Sequence, residues 1–374
     1  MKFIHLSDLH LGKRVNGFSM LEEQKYILKE IIGIIDEEKP EAVLIAGDVY
    51  DRSVPPEEAV RLFDDFLVDL AKRKLDVIII SGNHDSEERV AYGGRLMDSS
   101  GIHLAPVYNG EIEAFEMEDA YGKVCFWQIP FLKPGNVRHF YPEEEITGYT
   151  DAMQLVISHM NLDPSVRNIV LSHQFITGAN ICDSEEHSVG GLDDIAAEVY
   201  APFDYVALGH LHGPQKVGRE TIRYAGSPLK YSFSEAAQKK GVTIVELGAK
   251  GEIAVRLFPL LPMHDLLRIS GTFEEIMAGS EKMEDYYEIT LTDEEDIPNA
   301  ITKLRVKYPR LMQLKYDNSR TRTDTTVIGA EDVEKKTPME LFRELYIQMN
   351  GQDINEAQEV YLCALMQEIW EESI

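Results

Sequence analysis

Five short apolar segments of the sequence are each followed by side chains that commonly bind metal ions. Each segment ends in glycine or serine, and an aspartate, asparagine or histidine comes soon afterwards. The polar residues are Asp8 and His10, Asp48 and Asp51, Asn83 with His84 and Asp85, His173, and His210 with His212. Carboxylate, amide and imidazole ligands without cysteine favour Mn²⁺, Fe²⁺ or Mg²⁺ over structural zinc. The pattern therefore predicts a centre for hard or borderline cations.

Seven of these residues would make eight bonds to two metal ions if Asp48 bridged them. The seven are Asp8, His10, Asp48, Asn83, His173, His210 and His212. Two octahedral ions offer about twelve positions, so about four would remain for water and substrate oxygens. Open positions are typical of a catalytic centre rather than a structural one.

The elements that carry these residues are predicted from hydrophobic periodicity. Continuous apolar runs favour strands that are buried on both faces. Helix-period apolar faces at 20–36 and 56–73 alternate with them, and Pro56 suits the first turn of the second helix. This alternation predicts an α/β sheet flanked by helices, in which ligands collect at the carboxyl ends of the strands. The five groups are therefore expected to meet at one edge.

The motifs also carry a family resemblance. They read SDLHLGK (7–13), GDVYDR (47–52), SGNHDS (81–86), LSHQF (171–175), LGHLH (208–212) and YAGSPLKYSFSE (224–235). In this order they resemble the calcineurin-like metallophosphoesterases, and most closely the SbcD-like nucleases, strongly over about residues 1–265 and more loosely beyond. The resemblance implies a β-sandwich flanked by helices, with a small α+β capping domain and a helical C-terminal tail.

The resemblance also implies roles for the site residues. Asp8, His10, Asp48 and His212 would hold one metal ion, and Asp48, Asn83, His173 and His210 would hold the other. Two Mn²⁺ ions are expected, with Mg²⁺ or Fe²⁺ as alternatives.

Two further residues would serve catalysis. His84 would be the catalytic histidine that protonates the leaving group, and Asp51 would be its orienting partner. We hypothesise that the Asp51 carboxylate favours the protonated form of His84. Asp85 is interpreted instead as a turn or helix-cap carboxylate.

Composition limits the function classes. The net charge of −28 should repel free nucleic acid and anionic membranes at long range, which argues against a stand-alone DNA binder. The sequence shows neither an apolar stretch long enough to span a bilayer nor a signal peptide. Cys125, Cys182 and Cys363 are interpreted as reduced thiols. We therefore expect a cytoplasmic protein without a membrane partner.

The segment LFPLLPMHDLL (257–267) is interpreted as the exit from the first domain. The predicted organisation is a metallophosphoesterase domain at 1–265, a capping domain at 266–320, a linker at 321–336 and a tail at 337–374. Within the cap, strands are expected at 286–292 and 311–316 around a helix at 298–308.

Residues 301–323 carry seven basic side chains against the single acidic Asp317. They are Lys303, Arg305, Lys307, Arg310, Lys315, Arg320 and Arg322. We interpret this run as a contact for the DNA backbone, with a solvated charged face as the alternative.

The tail is predicted to form two amphipathic helices. Thr337 and Glu340 make a capping-box pattern at the first, and the second is expected at about 354–372. The resemblance implies that residues 337–374 bind an SbcC-like, SMC-type ATPase and that the protein is a homodimer. The alternative is that both helices pack on the cap.

Taken together, the motifs and the resemblance indicate a Mn²⁺-dependent DNA phosphodiesterase. It would act as an exonuclease on duplex ends and as an endonuclease on single strands or hairpins, in DNA replication, repair and recombination. The enzymatic alternative is an intracellular metallophosphatase or nucleotide phosphodiesterase of the same superfamily. A catalytically silent scaffold for an ATPase is a third hypothesis, which the complete ligand set opposes.

Overall fold

The computed structural model describes residues 1–182, 185, 194–279, 284–295, 297–318, 321, 337–350, 353–355, 358–363 and 365–366. Nearly all of the loop at 182–194 and of the linker at 321–336 therefore lies outside the described residues. Among the described residues, every helix is too short or too polar to cross a bilayer.

Two six-stranded sheets form the centre of the molecule. In spatial order, the first contains β14 (Ile253–Pro259), β13 (Gly241–Leu247), β1 (Lys2–Leu6), β4 (Ala42–Ala46), β5 (Asp76–Ile80) and β6 (Ile102–Leu104). The second contains β11 (Gln215–Val217), β12 (Arg219–Tyr224), β10 (Tyr205–Gly209), β9 (Arg167–His173), β8 (Gly122–Ile129) and β7 (Ala114–Asp119). A short hairpin, β2 (Arg14–Val15) and β3 (Phe18–Ser19), lies apart from both sheets.

The five strands that carry the predicted ligands lie in the interior of their sheets, and each pairs in parallel with another of the five. β1, β4 and β5 pair in parallel in the first sheet, whereas β9 and β10 pair in parallel in the second. The expectation of a single sheet from periodicity alone is wrong, because a run buried on both faces looks the same in one sheet as in two. The β-sandwich expected from the family resemblance is confirmed.

The sheets pack face to face around an apolar layer. Its larger side chains are Phe3, Leu44, Ile78, Phe126, Ile169 and Tyr205, all fully buried. Complete burial of such side chains stabilises the fold by roughly 1.5–3 kcal/mol each. This layer holds the two sheets in register, so that strand ends of one sheet lie beside strand ends of the other.

Helices cover the outer faces of the sandwich. The described helices of the first 265 residues are α1 (Leu21–Glu38), α2 (Glu57–Lys72), α3 (Glu87–Val90), α4 (Gly94–Met97), α5 (Pro134–Phe140) and α6 (Tyr149–Ser158). Short 3₁₀ turns occur at Asp98–Ser100, Ala197–Tyr200 and Phe233–Glu235. The two predicted long helices are confirmed as α1 and α2. Pro56 lies at the N-cap of α2, one residue before its predicted first-turn position.

A smaller parallel sheet follows the sandwich. It contains β15 (Leu266–Gly271), β16 (Tyr286–Leu291) and β17 (Leu311–Tyr316), with α7 (Phe273–Ala278) and α8 (Ala300–Lys307) on one face. The predicted strands and helix correspond to β16, β17 and α8, whereas β15 and α7 were not predicted. At the contact with the sandwich, Glu23 of α1 binds Nδ1 of His264 at 2.6 Å and accepts from the Tyr286 hydroxyl at 3.3 Å.

The tail contains α9 (Pro338–Asn350) and further helical residues at 358–363. The predicted capping box at its start is present: the backbone N–H of Thr337 donates to Glu340 Oε2 at 2.7 Å, and the Glu340 N–H donates to Thr337 Oγ1 at 3.3 Å. Arg343 links the two helical segments through ion pairs to Asp353 and Glu359.

Candidate active site

The predicted ligand residues lie at the carboxyl ends of β1, β4, β5, β9 and β10. The two sheets meet there through His173, whose Nδ1 donates to the Ala46 carbonyl at 2.8 Å. This bond crosses the sandwich, from the last residue of β9 to the last residue of β4. The structure therefore brings all seven predicted metal ligands, together with His84, to one edge of the molecule.

Two glycines allow this close approach. Gly47 has a φ of +87°, and a Cβ atom there would lie 2.3 Å from Nδ1 of His173. A Cβ atom on Gly82 would lie 2.1 Å from Oδ1 of Asp48. Both positions are too crowded for any side chain. The glycines that precede Asp48 and Asn83 are therefore required by the site's geometry.

Four of the predicted ligands have positive φ angles. The values are 52° for Asp8, 44° for His10, 51° for Asp48 and 102° for His210. Such angles are uncommon outside glycine and cost roughly 1–3 kcal/mol each when the surroundings impose them. Main-chain hydrogen bonds hold two of them, from Asp8 N to the Gly47 carbonyl at 3.0 Å and from His10 N to the Asp48 carbonyl at 2.9 Å, and the His210 N–H donates to the Asp8 carboxylate at 3.0 Å. Strain of this kind is concentrated at functional sites.

One group of donor atoms surrounds His10 and His212. Their Nε2 atoms face each other at 3.0 Å, and a carboxylate oxygen of Asp8 lies within 4.8 Å of both rings' ligand atoms. Nδ1 of His10 is buried and has no hydrogen-bond partner. Imidazole nitrogens and a carboxylate that converge in this way are suited to a cation. The residues present therefore fit the metal that the fold family implies.

A second group surrounds Asn83. Its Oδ1 lies 3.0 Å from Nε2 of His173 and 3.0 Å from Nδ1 of His210. Because Nδ1 of His173 donates to a carbonyl, Nε2 is the ring atom that faces Asn83 Oδ1, and it presents a lone pair there only when the ring has lost its second proton. Two electron donors at this distance repel each other unless a proton or a cation lies between them. This group also fits a metal ion.

Asp48 lies between the two groups. Its Oδ2 is 3.5 Å from Nε2 of His10 and 3.4 Å from Nε2 of His173, while its Oδ1 accepts from the His84 N–H at 3.0 Å. Asp8 is also near both groups, because its carboxylate lies within 4.8 Å of ligand atoms of Asp48 and His173.

Burial and charge set the protonation of the group. Burial lowers the pKa values of His10 and His210, the latter to about 3, so both rings are neutral. Burial lowers the pKa of His173 as well, but the Asp48 carboxylate outweighs it and raises this pKa to about 9. Burial raises the pKa of Asp8 to about 6. Metal binding requires deprotonated ligands, so a cation would displace the proton of His173.

His84 lies at the edge of the group, with its ring edge-on to that of His10 at 4.9 Å between centroids. Its Nδ1 bonds to the backbone carbonyl of Asp51 at 3.2 Å. The hypothesis that the Asp51 carboxylate acts on His84 therefore needs correction. That carboxylate instead accepts a charge-assisted hydrogen bond from Lys13 Nζ at 2.6 Å.

Asp85 links two of the site's loops. Its carboxylate accepts from the backbone N–H groups of Val49 and Gly82 at 3.0 Å and of Tyr50 at 2.9 Å. These bonds hold the loop after β4 against the loop after β5. The interpretation of Asp85 as a turn carboxylate agrees with this placement.

Residues outside the predicted set form hydrogen bonds that hold the predicted ligands and their loops in place. Gln24 on α1 donates to the His10 carbonyl at 2.7 Å and accepts from the Gly12 N–H at 2.9 Å, while Tyr231 donates to the Leu9 carbonyl at 2.5 Å. Glu235 contacts Nδ1 of His212 at 3.3 Å. Burial raises the pKa of Glu235, but His212 and Lys240 outweigh it and hold this pKa at about 2. In the sequence, only the motif at 224–235 signals any of these residues.

The basic run of the cap is largely occupied by internal contacts. Lys307 Nζ donates to the carbonyls of Ile276, Met277 and Gly279 at the end of α7. Arg305, Arg310 and Lys315 bind the Leu311 carbonyl, the Glu284 carbonyl and the Glu288 carboxylate, respectively. Arg320 and Arg322 lie outside the described residues. The interpretation as one continuous DNA contact is therefore weakened, because carbonyls and a carboxylate of the cap already bind most of these cations.

Comparison with known proteins agrees with this arrangement. The family model for calcineurin-like phosphoesterases matches residues 1–214. A second family model, for the type 5 capsule protein repressor C-terminal domain, matches residues 262–350. The fold, the site and the first match together define a calcineurin-like phosphoesterase.

Relatives that match most of the chain identify which kind of phosphoesterase it is. The SbcD subunit of the SbcCD nuclease from Staphylococcus epidermidis is 30% identical over 368 residues, covering 96% of each chain. The protein of the same name from Staphylococcus saprophyticus is 32% identical over 344 residues, covering 89% of each chain. Among solved structures, a dimetal phosphatase from Danio rerio aligns over 69% of this chain and 99% of its own, at 12% identity and a TM-score of 0.41.

The chain thus belongs to the calcineurin-like phosphoesterases and, within them, to the SbcD family of nucleases. It is a metal-dependent phosphodiester hydrolase.

Proposed function

We propose that the protein is a Mn²⁺-dependent DNA nuclease, with exonuclease activity on duplex ends and endonuclease activity on single strands and hairpins. The observation that carries the proposal is the placement of Asp48 Oδ2 between His10 and His173, 3.5 Å and 3.4 Å from their Nε2 atoms. A carboxylate oxygen in this position can bridge two metal ions. DNA as the substrate rests on the SbcD family membership.

We assign Asp8, His10, Asp48 and His212 to one Mn²⁺, and Asp48, Asn83, His173 and His210 to the other. When bound, two such ions lower the pKa of water and offset the charge that builds on a phosphodiester. Asn83 and the histidines orient their donor atoms, and the buried floor of the site excludes bulk water.

His84 is the proposed proton donor to the leaving oxygen. Because Nδ1 donates to the Asp51 carbonyl, Nε2 is the atom that exchanges a proton with substrate. The Asp51 main chain therefore orients the ring, and Asp51 acts as a positioning residue through its carbonyl.

The tail at 337–374 is proposed to bind an SbcC-like, SMC-type ATPase. Apolar side chains remain open to solvent on both helical segments: Leu345 is 56% exposed, Val360 68% and Tyr361 67%. The tail and its lead-in from residue 331 contain eleven acidic and three basic residues, which disfavours binding to DNA. Exposed apolar helix faces are commonly covered by a partner.

We also propose that two copies of the chain form a homodimer. Apolar side chains are exposed around α2 to α4, namely Val54, Val60, Val68, Tyr92 and Leu96. Tyr92 and Leu96 are 84% and 82% exposed. Exposed apolar patches mark interaction surfaces more often than random surface does. We further propose that the protein works in the cytoplasm, where bacterial DNA is found, and that its domains divide at about residues 265, 320 and 336.

The proposal is tested with purified protein, Mn²⁺ and three substrates: linear duplex DNA, a DNA hairpin and the small diester bis(p-nitrophenyl) phosphate. A nuclease cleaves both DNA substrates. Hydrolysis of the small diester alone would favour a nucleotide phosphodiesterase, and no hydrolysis of any substrate would favour a scaffold. Omitting Mn²⁺, then replacing it with Mg²⁺ or Fe²⁺, tests the assignment of the metal.

A further inference from the structure

We propose that Glu235 and Lys240 are positioning residues for the metal ligand His212, with Glu235 orienting its ring and Lys240 holding both its main chain and Glu235. The inference rests on the proposed role of His212 as a metal ligand. It adds to that role a buried ion pair, which lies behind the ligand and selects the ring nitrogen that faces the metal.

The Glu235 carboxylate is fully buried and faces Nδ1 of His212. Its Oε1 accepts from this ring nitrogen at 3.3 Å and from the backbone N–H of Tyr231 at 3.2 Å. A carboxylate only accepts, so the His212 ring carries hydrogen on Nδ1 and presents the lone pair of Nε2. That Nε2 atom is the one that lies 3.0 Å from Nε2 of His10. Glu235 thus selects the tautomer that can bind a cation at the proposed site.

Lys240 contacts the same ligand from another side. Its Nζ donates to the main-chain carbonyl of His212 at 2.7 Å and to Glu235 Oε2 at 2.5 Å. Further bonds join it to Ser227 Oγ at 2.9 Å and Gln238 Oε1 at 2.8 Å. Its side chain is only 4% exposed. The ring and the main chain of His212 are therefore held by two members of one ion pair.

Stability alone does not explain why the Glu235–Lys240 ion pair is buried. Removing two charges from water is costly, and apolar side chains of similar volume are often at least as stabilising. A carboxylate behind a metal-binding histidine orients the ring and increases its basicity, and Lys240 donates to the other oxygen of that carboxylate at 2.5 Å. The location of the pair behind His212 gives a functional reason for it.

Local structure places both residues. Glu235 ends the 3₁₀ turn at Phe233–Glu235, whose N-cap Ser232 accepts from the Ser234 N–H at 3.1 Å. The chain then returns to β13, and Lys240 is the residue just before that strand. The segment between β12 and β13 is thereby held against the loop that carries His212.

The test compares Mn²⁺ binding to the full-length chain and to Glu235→Ala, Glu235→Gln and Lys240→Met, by calorimetry on metal-free protein. Loss of a partner behind a ligating histidine typically weakens metal binding by about 10–100-fold. We expect Glu235→Ala to show such a loss at one of two sites and to leave the other unchanged. Glu235→Gln should recover part of it, because the amide oxygen still accepts from Nδ1.

The matched control is Asp119→Asn. Asp119 forms another buried ion pair, with Arg167 at 2.5 Å, at the opposite end of β9 from His173. This variant should lower the melting temperature without changing either Mn²⁺ affinity. If Glu235→Ala and Lys240→Met bind both ions like the wild type, or if Asp119→Asn weakens binding equally, the inference is wrong. If Glu235→Ala does not fold, the other two variants decide the question. Wild-type Mn²⁺ affinity in Glu235→Gln would overturn the role of Glu235, and wild-type affinity in Lys240→Met would overturn the role of Lys240.

A further variant separates this inference from the proposed metal centre. His212→Ala should lose one of the two ions. If His212→Ala retains both, the assignment of His212 itself has failed. If it loses one ion while the Glu235 and Lys240 variants bind normally, only the positioning role has failed.

Discussion

The backbone carbonyl of Asp51, rather than its carboxylate, contacts His84: it accepts a hydrogen bond from Nδ1 at 3.2 Å. The Asp51 carboxylate forms an ion pair with Lys13 at 2.6 Å. The side chain of Asp51 can therefore be changed without removing the atom that orients His84. This separation makes the two roles distinguishable by mutation.

Asp51→Asn should reduce DNA cleavage by no more than about tenfold. The substitution weakens the Lys13 ion pair but keeps the carbonyl that orients His84, so the loss should stay well below the about 10²–10⁴-fold expected for a general acid. The measurement is kcat on single-stranded DNA beside that of His84→Ala. Equal losses of kcat in the two variants would show that the Asp51 carboxylate, and not its carbonyl, orients His84.

His84→Ala should retain metal and lose turnover. A general acid typically contributes about 10²–10⁴-fold in rate. The structure makes elemental analysis decisive here, because a His84 nitrogen also lies within 4.8 Å of ligand atoms of His10 and Asp48. A fall in metal content that parallels the loss of activity would make His84 a ligand instead.

Asp48→Ala should lower metal content more than Asp8→Ala does. The Oδ2 atom of Asp48 faces His10 and His173, one from each proposed ligand set, so its loss affects both ions. Metal per chain is measured after gel filtration in buffer without added Mn²⁺. An Asp48→Ala protein that still holds two ions would show that Asp48 does not bridge them. An equal loss of metal in Asp8→Ala would indicate that both carboxylates bridge the ions.

Lys303→Gln should weaken DNA cleavage while sparing a small phosphodiester. Lys303 is exposed on α8, so a phosphate can reach it. Loss of one contact should flatten the dependence of log affinity on log salt by about 0.9 for duplex DNA. An unchanged slope would assign this lysine to a solvated face.

Lys307→Met is the matched control on the same helix. Because Lys307 binds three carbonyls at the end of α7, its loss should destabilise the cap, at about 1.5–3 kcal/mol for hydrogen bonds to a charged group. Thermal unfolding should show the shift, and the salt dependence of DNA binding by the folded protein should stay the same. Flattening of the slope by Lys307→Met instead would make it a phosphate contact.

Leu345→Asp should abolish co-purification with an SbcC-like ATPase and leave Mn²⁺-dependent cleavage of single-stranded DNA intact. Leu345 is 56% exposed, so a charge there is tolerated in the free chain but would be buried unpaired in an interface. Leu341→Asp with Phe342→Asp, and deletion of 337–374, should give the same result.

The control for this test is Arg343→Ala, which breaks the ion pairs between the two tail segments without placing a charge on their apolar faces. It should weaken co-purification less than Leu345→Asp. Retention of the ATPase by Leu345→Asp, with an unchanged circular dichroism spectrum, would show that these helices do not form the docking surface.

The central strands, and the polar side chains at their carboxyl ends, were predictable from the amino-acid sequence. The apolar runs at 3–7, 43–47 and 77–81 correspond to β1, β4 and β5 within one residue at each end. A strand buried on both faces needs a continuous apolar run, and a ligand at its end needs a small residue before it, so both signals are local. The cap strands β16 and β17 also lie where the sequence predicted strands.

The division of these strands between two sheets became visible only in the folded molecule, because long-range pairing leaves no periodicity in either partner. Folding also decided which atom of a residue acts: the family resemblance implies that Asp51 lies near His84, but the sequence cannot show that Lys13 binds the Asp51 carboxylate. The same holds for Lys307, which counts as a positive charge in the sequence yet binds three carbonyls of α7. Charge and residue type are properties of the chain, whereas the partner of each polar group depends on which donors and acceptors folding brings within reach.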